Sequence, residues 1–273
     1  MNTAIMTMGG LRPPAHRIAA LARAEGVLLR RNRTALLTAI VLPAPMVYGL
    51  KALPSATGAD GPGGTGAALL TGLVAFALLF AVYYNLVTTL VGRRDQLVLK
   101  RLRTGETTDG EILAGTAAPA IAVAWAQIAV AGLAAVAVFG LAPPADAVLA
   151  LVALAAGSAV FVLLAAVSST LTRSVEMAQI TTLPVLIIPL AFCGLLFRLA
   201  LLPEPLRWAA EALPLTPVVE LMRLALTGTA AGGHHLGLAA SFGAAVIPVL
   251  VLTAWIAAAG WAARRWFRWE PRR

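Results

Sequence analysis

Three groupings of side chains in this 273-residue sequence have types that could do chemistry. Cys193 could serve as a nucleophile, the pair His234 and His235 as metal ligands, and the glycine-rich GPGGTG at 61–66 as a phosphate cradle. Each fails on its surroundings. Cys193 is the single cysteine, which excludes an internal disulfide, and in LIIPLAFCGLLF it reads as a small buried hydrophobe. Adjacent histidines are poorly placed to hold one ion from one helix face, and His16 stands alone. GPGGTG matches G-x-G-x-x-G by letters, but no strand precedes it, so it is not a dinucleotide site. No G-x-x-x-x-G-K-[ST] occurs, which excludes ATP binding through a P-loop in this chain.

A fourth grouping is richer. Between Arg93 and Glu111 lie nine charges: Arg93, Arg94, Asp95, Lys100, Arg101, Arg103, Glu106, Asp109 and Glu111. A loop that serves only to hold topology needs the basic residues but not the four acids among them. A mixed-sign surface suits the docking of a partner. Thr108-x-x-Glu111 fits a helix capping box, so a helix is expected to start near Asp109, and the stretch before it can form a short helix of its own. Leu97, Leu99 and Leu102 would face the membrane or the bundle, with Lys100, Arg101 and Arg103 facing water.

The elements that must position this island are membrane spans. Of the residues, 60% are hydrophobic and 12% charged, with mean hydropathy +0.86. Soluble domains carry about 25% charged residues, and a core this apolar would leave no surface for water. A span needs about 20 mostly apolar residues. Six stretches qualify, at about 34–52, 66–91, 112–140, 146–171, 177–201 and 236–262. Pro43, Pro45, Pro184 and Pro189 lie inside them, as membrane bundles permit. The first thirty residues hold no early apolar core of signal-peptide type, so the first span is expected to stay as an anchor.

Linker charge sets the orientation. With the N-terminus inside, seventeen basic residues fall on the cytoplasmic side: six arginines in 12–33, five basic residues in 93–103, Arg173, and five arginines in 264–273. The other side keeps four, Lys51, Arg198, Arg207 and Arg223. Positive residues near span ends stay inside, so both termini and 93–111 are expected in the cytoplasm. The net charge of +9 therefore reads as topology, not as a nucleic-acid surface. Trp261, Trp266 and Trp269 suit the membrane interface. Segment 15–33 is too short in apolar residues to span and is expected as an interfacial helix.

No span holds an acid or base near its middle, which speaks against a proton relay and against intramembrane catalysis. The ion-coupled transporter and the intramembrane enzyme are the alternatives so disfavoured. Polar residues inside spans, such as Gln127, Ser168, Ser169, Thr181 and Thr182, usually bond their own backbone or glue helices. The cluster Tyr83, Tyr84, Asn85 is the candidate surface for a translocation pathway.

Two motifs carry a resemblance. Arg94-Asp95-Gln96-Leu97-Val98-Leu99-Lys100-Arg101-Leu102-Arg103-Thr104 stands between spans two and three. Leu202-Pro203, Leu206, Leu213-Pro214-Leu215, Val219 and Arg223 stand between spans five and six. With the six-span layout, these resemble the permease subunits of type-2 ATP-binding-cassette (ABC) exporters. Their patterns are R-E-x-G-T-L-x-x-L-x-x-T-P and L-P-x-x-L…L-x-P-L-x-x-x-V-x-x-x-R. Here Asp95 replaces the glutamate, the Gly-Thr pair is absent, and Gly105 stands where proline follows the threonine.

The resemblance implies an all-α membrane protein of six transmembrane helices, a single domain over 1–273, with short re-entrant helices between spans five and six. It implies a separate ATPase subunit that binds the ATP and Mg, and contacts Arg94, Asp95, Lys100, Arg101, Arg103 and Glu106 through a coupling helix. It implies a homodimer, or a heterodimer with a similar permease, among membrane lipids. The expected activity is export of a drug-like, lipid or other amphiphilic substrate. The Ala/Arg-rich, lysine-poor usage is that of a GC-rich bacterial genome, and the expected location is the bacterial cell membrane.

Overall fold

The computed structural model describes residue 23, residues 64–103, 108–229 and 238–267. The expected first span (34–52), His16, His234, His235 and Glu106 lie outside the described residues, as does the interfacial segment 15–33 apart from Arg23, which is helical and exposed. Among the described residues the chain is all-helical, with no strand, and five helices are long and apolar enough to cross a membrane. That is what hydrocarbon demands, because a helix satisfies its own backbone donors and acceptors where no water can.

The hub is α1, Gly64–Asp95, whose apolar window is 72% buried against 17–39% for the other four spans. Its middle, Ala77–Tyr84, winds as a π-helix. At about 1.5 Å per residue, its 32 residues reach about 48 Å, more than the roughly 30 Å of hydrocarbon. Its charged end therefore extends past the apolar slab. A two-residue elbow, Gln96 and Leu97, leads into the short α2, Val98–Arg103.

Helix α3, Asp109–Phe139, begins where the capping box placed it: the Thr108 hydroxyl accepts from the Glu111 N–H at 3.3 Å, and the Glu111 carboxylate accepts from the Thr108 N–H at 2.7 Å. Gly140, at φ +62°, closes it in the left-handed conformation that glycine adopts without a Cβ penalty. Helix α4, Ala147–Leu171, is capped by Asp146, whose Oδ1 accepts from the N–H groups of Val148 and Leu149. A Cβ on Gly157 would come within 2.9 Å of Leu78 and 3.0 Å of Val218, so α4 lies as close to its neighbours as a bare backbone allows.

The fifth expected span needs correction. In place of one helix over 177–201, the structure has α5, Val175–Thr181, and α6, Leu183–Phe192, which together make an 18-residue apolar segment. The chain then turns at Cys193–Phe197, with Gly194 at φ +81°, and a 3-10 turn covers Leu199–Leu201. The apolar run continues beyond the helix because those residues still face bundle or lipid.

Two shorter helices follow, α7, Glu204–Glu211, and α8, Thr216–Thr227. Helix α7 is mostly exposed, including Leu206 and Trp208, whereas α8 is buried along most of its length and packs on α1, α4 and α9. The Asp146 N–H donates to the carbonyl of Ala225, fixing α8 to the start of α4. Helix α9, Leu238–Trp266, packs on α4 and α8, and Trp255 donates from its indole N–H to the Ala212 carbonyl at 2.8 Å.

Candidate functional site

Among the described residues the charged island runs through the last turn of α1, the elbow, α2 and the first turn of α3. Helix α2 is amphipathic at short range. Leu99 is 1% exposed and Leu102 half-buried, three residues apart on one face, while Lys100 and Arg101 are exposed. Asp95 and Gln96 are exposed beside them. Buried leucine thus anchors the helix to α1 and α3, and the charged side chains are presented outward. Arg103 closes α2. Leu97 departs from the expected inward face: it is 42% exposed and sits at φ +60°, the left-handed region that costs a non-glycine residue about 1–2 kcal/mol.

Arg94 departs further. Expected at the docking surface, it is 2% exposed. Its Nη1 donates to the carbonyl of Ser169 at 2.7 Å and its Nη2 to that of Thr172 at 2.6 Å, with Nε 3.9 Å from the Asp95 carboxylate. The reason is local to α4. A helix leaves its last four carbonyls without intrahelical partners, and its C-terminal end attracts positive charge. Thr172 is the C-cap of α4, so the guanidinium satisfies open carbonyls at a negative helix end. Hydrogen bonds to a charged group are worth about 1.5–3 kcal/mol each, which offsets much of the cost of burying the cation.

The proposed pathway cluster also splits. Tyr83 is fully buried, donates its hydroxyl proton to Ser168 Oγ at 2.9 Å, and meets Phe161 edge-on at 6.3 Å between ring centres. It fastens α1 to α4 inside the bundle. Tyr84 and Asn85 are half-buried, and the Asn85 carbonyl accepts from Thr88 at 2.8 Å. The serines and threonines of the spans follow the pattern expected of them: Ser169, Thr170 and Thr182 bond carbonyls of their own helices. Cys193 is 1% exposed, with its thiol against the Leu190 carbonyl at 3.3 Å. On α8, burial pushes the Glu220 carboxyl above its ordinary value, Glu211 adds repulsion, and Arg223 opposes both.

Sequence reasoning missed the role of Arg94, because its partners are backbone carbonyls 75 and 78 positions away, and main-chain acceptors leave no mark in composition. The family model described as ABC-2 type transporter matches residues 16–227 of the chain. No curated protein matches it.

Proposed function

Because the chain belongs to the ABC-2 type transporter family and is thereby the permease component of an ABC transporter, we infer that it is the membrane half of an ATP-driven exporter. It moves an amphiphilic substrate, drug-like or lipid, out across the bacterial cell membrane, and a separate ATPase chain binds and hydrolyses the ATP with its Mg. Two permease copies, or this chain with a similar one, form the working assembly. The chain crosses the membrane six times with both termini inside, as the seventeen-to-four distribution of basic residues supports. The exposed α7, with Leu206 and Trp208 outward, suits a position in the outer leaflet.

The observation that carries this reading is α2: a helix anchored by Leu99, with Lys100, Arg101 and neighbouring Asp95 exposed. Charged rims of mixed sign steer and register a partner. Tyr84 and Asn85, half-exposed, stay as the candidates for the substrate pathway, and Tyr83 acts as the helix fastener behind them. The test is co-purification of the ATPase with the double variant Arg101→Glu, Arg103→Glu. Exposed pairs are worth only about 0.2–1 kcal/mol each, so the double change is the informative one. Loss of the partner, with correct insertion retained, is expected. Full retention of partner and ATP hydrolysis would reduce the island to a topological device.

A further inference from the structure

We propose that Arg94 is a positioning residue that joins the docking helix α2 to the end of α4, so that displacement of α2 by a partner also moves α4. The proposal rests on the docking role inferred above for α2. Its geometry is that one residue holds both sides. The Arg94 carbonyl accepts from the Leu97 N–H at 3.0 Å, inside the elbow, while its guanidinium grips the carbonyls of Ser169 and Thr172.

The elbow is itself fastened at both ends. The Gln96 N–H donates to Gly92 O at 3.1 Å, and the Arg101 N–H to Leu97 O at 3.1 Å. Helix α2 is therefore no loose flap, and its movement loads the last turn of α1, where Arg94 sits. On the far side the grip is on main-chain atoms, which cannot rotate away as a side chain would. Thr172 extends the connection, its hydroxyl 2.8 Å from that of Thr181 at the end of α5. The C-terminal ends of α1, α4 and α5 thus meet around one buried cation beside the exposed docking helix. Coupling requires a physical contact through which one element displaces another, and the Arg94 hydrogen bonds are that contact between α2 and α4.

The test uses the chain in complex with the ABC ATPase that co-purifies with it, in lipid vesicles and a Cys193→Ala background. A single cysteine is placed in the elbow at the foot of α2 by Gln96→Cys or just past α4 by Arg173→Cys, both exposed positions outside the docking charges. The rate of reaction with a water-soluble maleimide is measured with and without a non-hydrolysable ATP analogue. Both sites should respond to the analogue when Arg94 is present. With Arg94→Gln, Gln96→Cys should still respond and Arg173→Cys should lose its response, since charged hydrogen bonds of this strength shift a local equilibrium about tenfold or more. Arg94→Lys keeps the charge and can hold one carbonyl, so it should restore part of the response. This rescue separates a grip from a general loss of structure.

An unchanged Arg173→Cys response in both Arg94 variants would overturn the proposal. If Arg94→Gln does not assemble, the Arg94→Lys variant decides alone: a reduced response supports the grip and a full one removes it. If Gln96→Cys ignores the analogue even with Arg94 intact, α2 does not dock. The functional reading then fails first and this proposal with it.

Discussion

Glu220 shows how one side chain can set the pH response of the fold. Its carboxyl is raised above the ordinary 4.5 chiefly by burial, with Glu211 adding to the rise. The folded chain therefore binds this proton more tightly than the unfolded chain does. Stability from this group is fully present below the ordinary glutamate value and is lost as pH climbs through the raised one. Glu220→Gln removes the penalty. The variant should melt at a higher temperature than the parent at about pH 8 in detergent, with the difference shrinking toward about pH 4. A constant difference across that range would remove the burial argument. At this scale the sequence was partly legible. Cys193 as an inert hydrophobe and the self-bonding serines and threonines follow from residue type. Arg94 and Tyr83 do not, because whether a polar side chain faces a partner or a neighbouring helix depends on packing across 75 and 85 residues.

Elements were most legible where their signals are local. The capping box fixed the start of α3, since both of its hydrogen bonds lie within four residues. Hydropathy located the five apolar helices found among the described residues, because a span needs only length and composition. It misjudged the stretch after Phe192, where apolar residues continue but the backbone turns at Gly194. Apolar character says that a residue avoids water and is silent on whether its backbone is helical. The burial of α8 escaped for a related reason. Its close approach depends on Gly157 of α4, a glycine that nothing in its own neighbourhood distinguishes from others in the spans.

The whole molecule reads from composition and charge together, and its orientation can be tested directly. Gln96, on the island, and Glu204, on α7, are both exposed. In a Cys193→Ala background, Glu204→Cys should react with an impermeant thiol reagent applied to intact cells, and Gln96→Cys should react only after the cells are opened. The reverse pattern would invert the seventeen-to-four argument and place the island outside, where no ATPase could reach it. The membrane class was legible from the first because 12% charge cannot clothe a soluble surface. Which spans form the hub was not, since all are comparably apolar, and only packing gives α1 its central place.

The π-wound middle of α1 has a consequence for angular phase. A π stretch is an α-helix that has absorbed a surplus residue, and each residue of a regular helix turns the chain by about 100°. The upper and lower halves of α1 are therefore indexed to each other through Ala77–Tyr84. Removing Ala81 should let the helix return to regular winding with both faces still aligned, and Arg94 would keep its carbonyls. Removing Val87, below the surplus, should swing the lower end by about 100° and carry Arg94 off α4. Melting in detergent should separate the two, with the Ala81 deletion near the parent and the Val87 deletion well below it. Equal losses would mean that the winding of this segment sets no register at all.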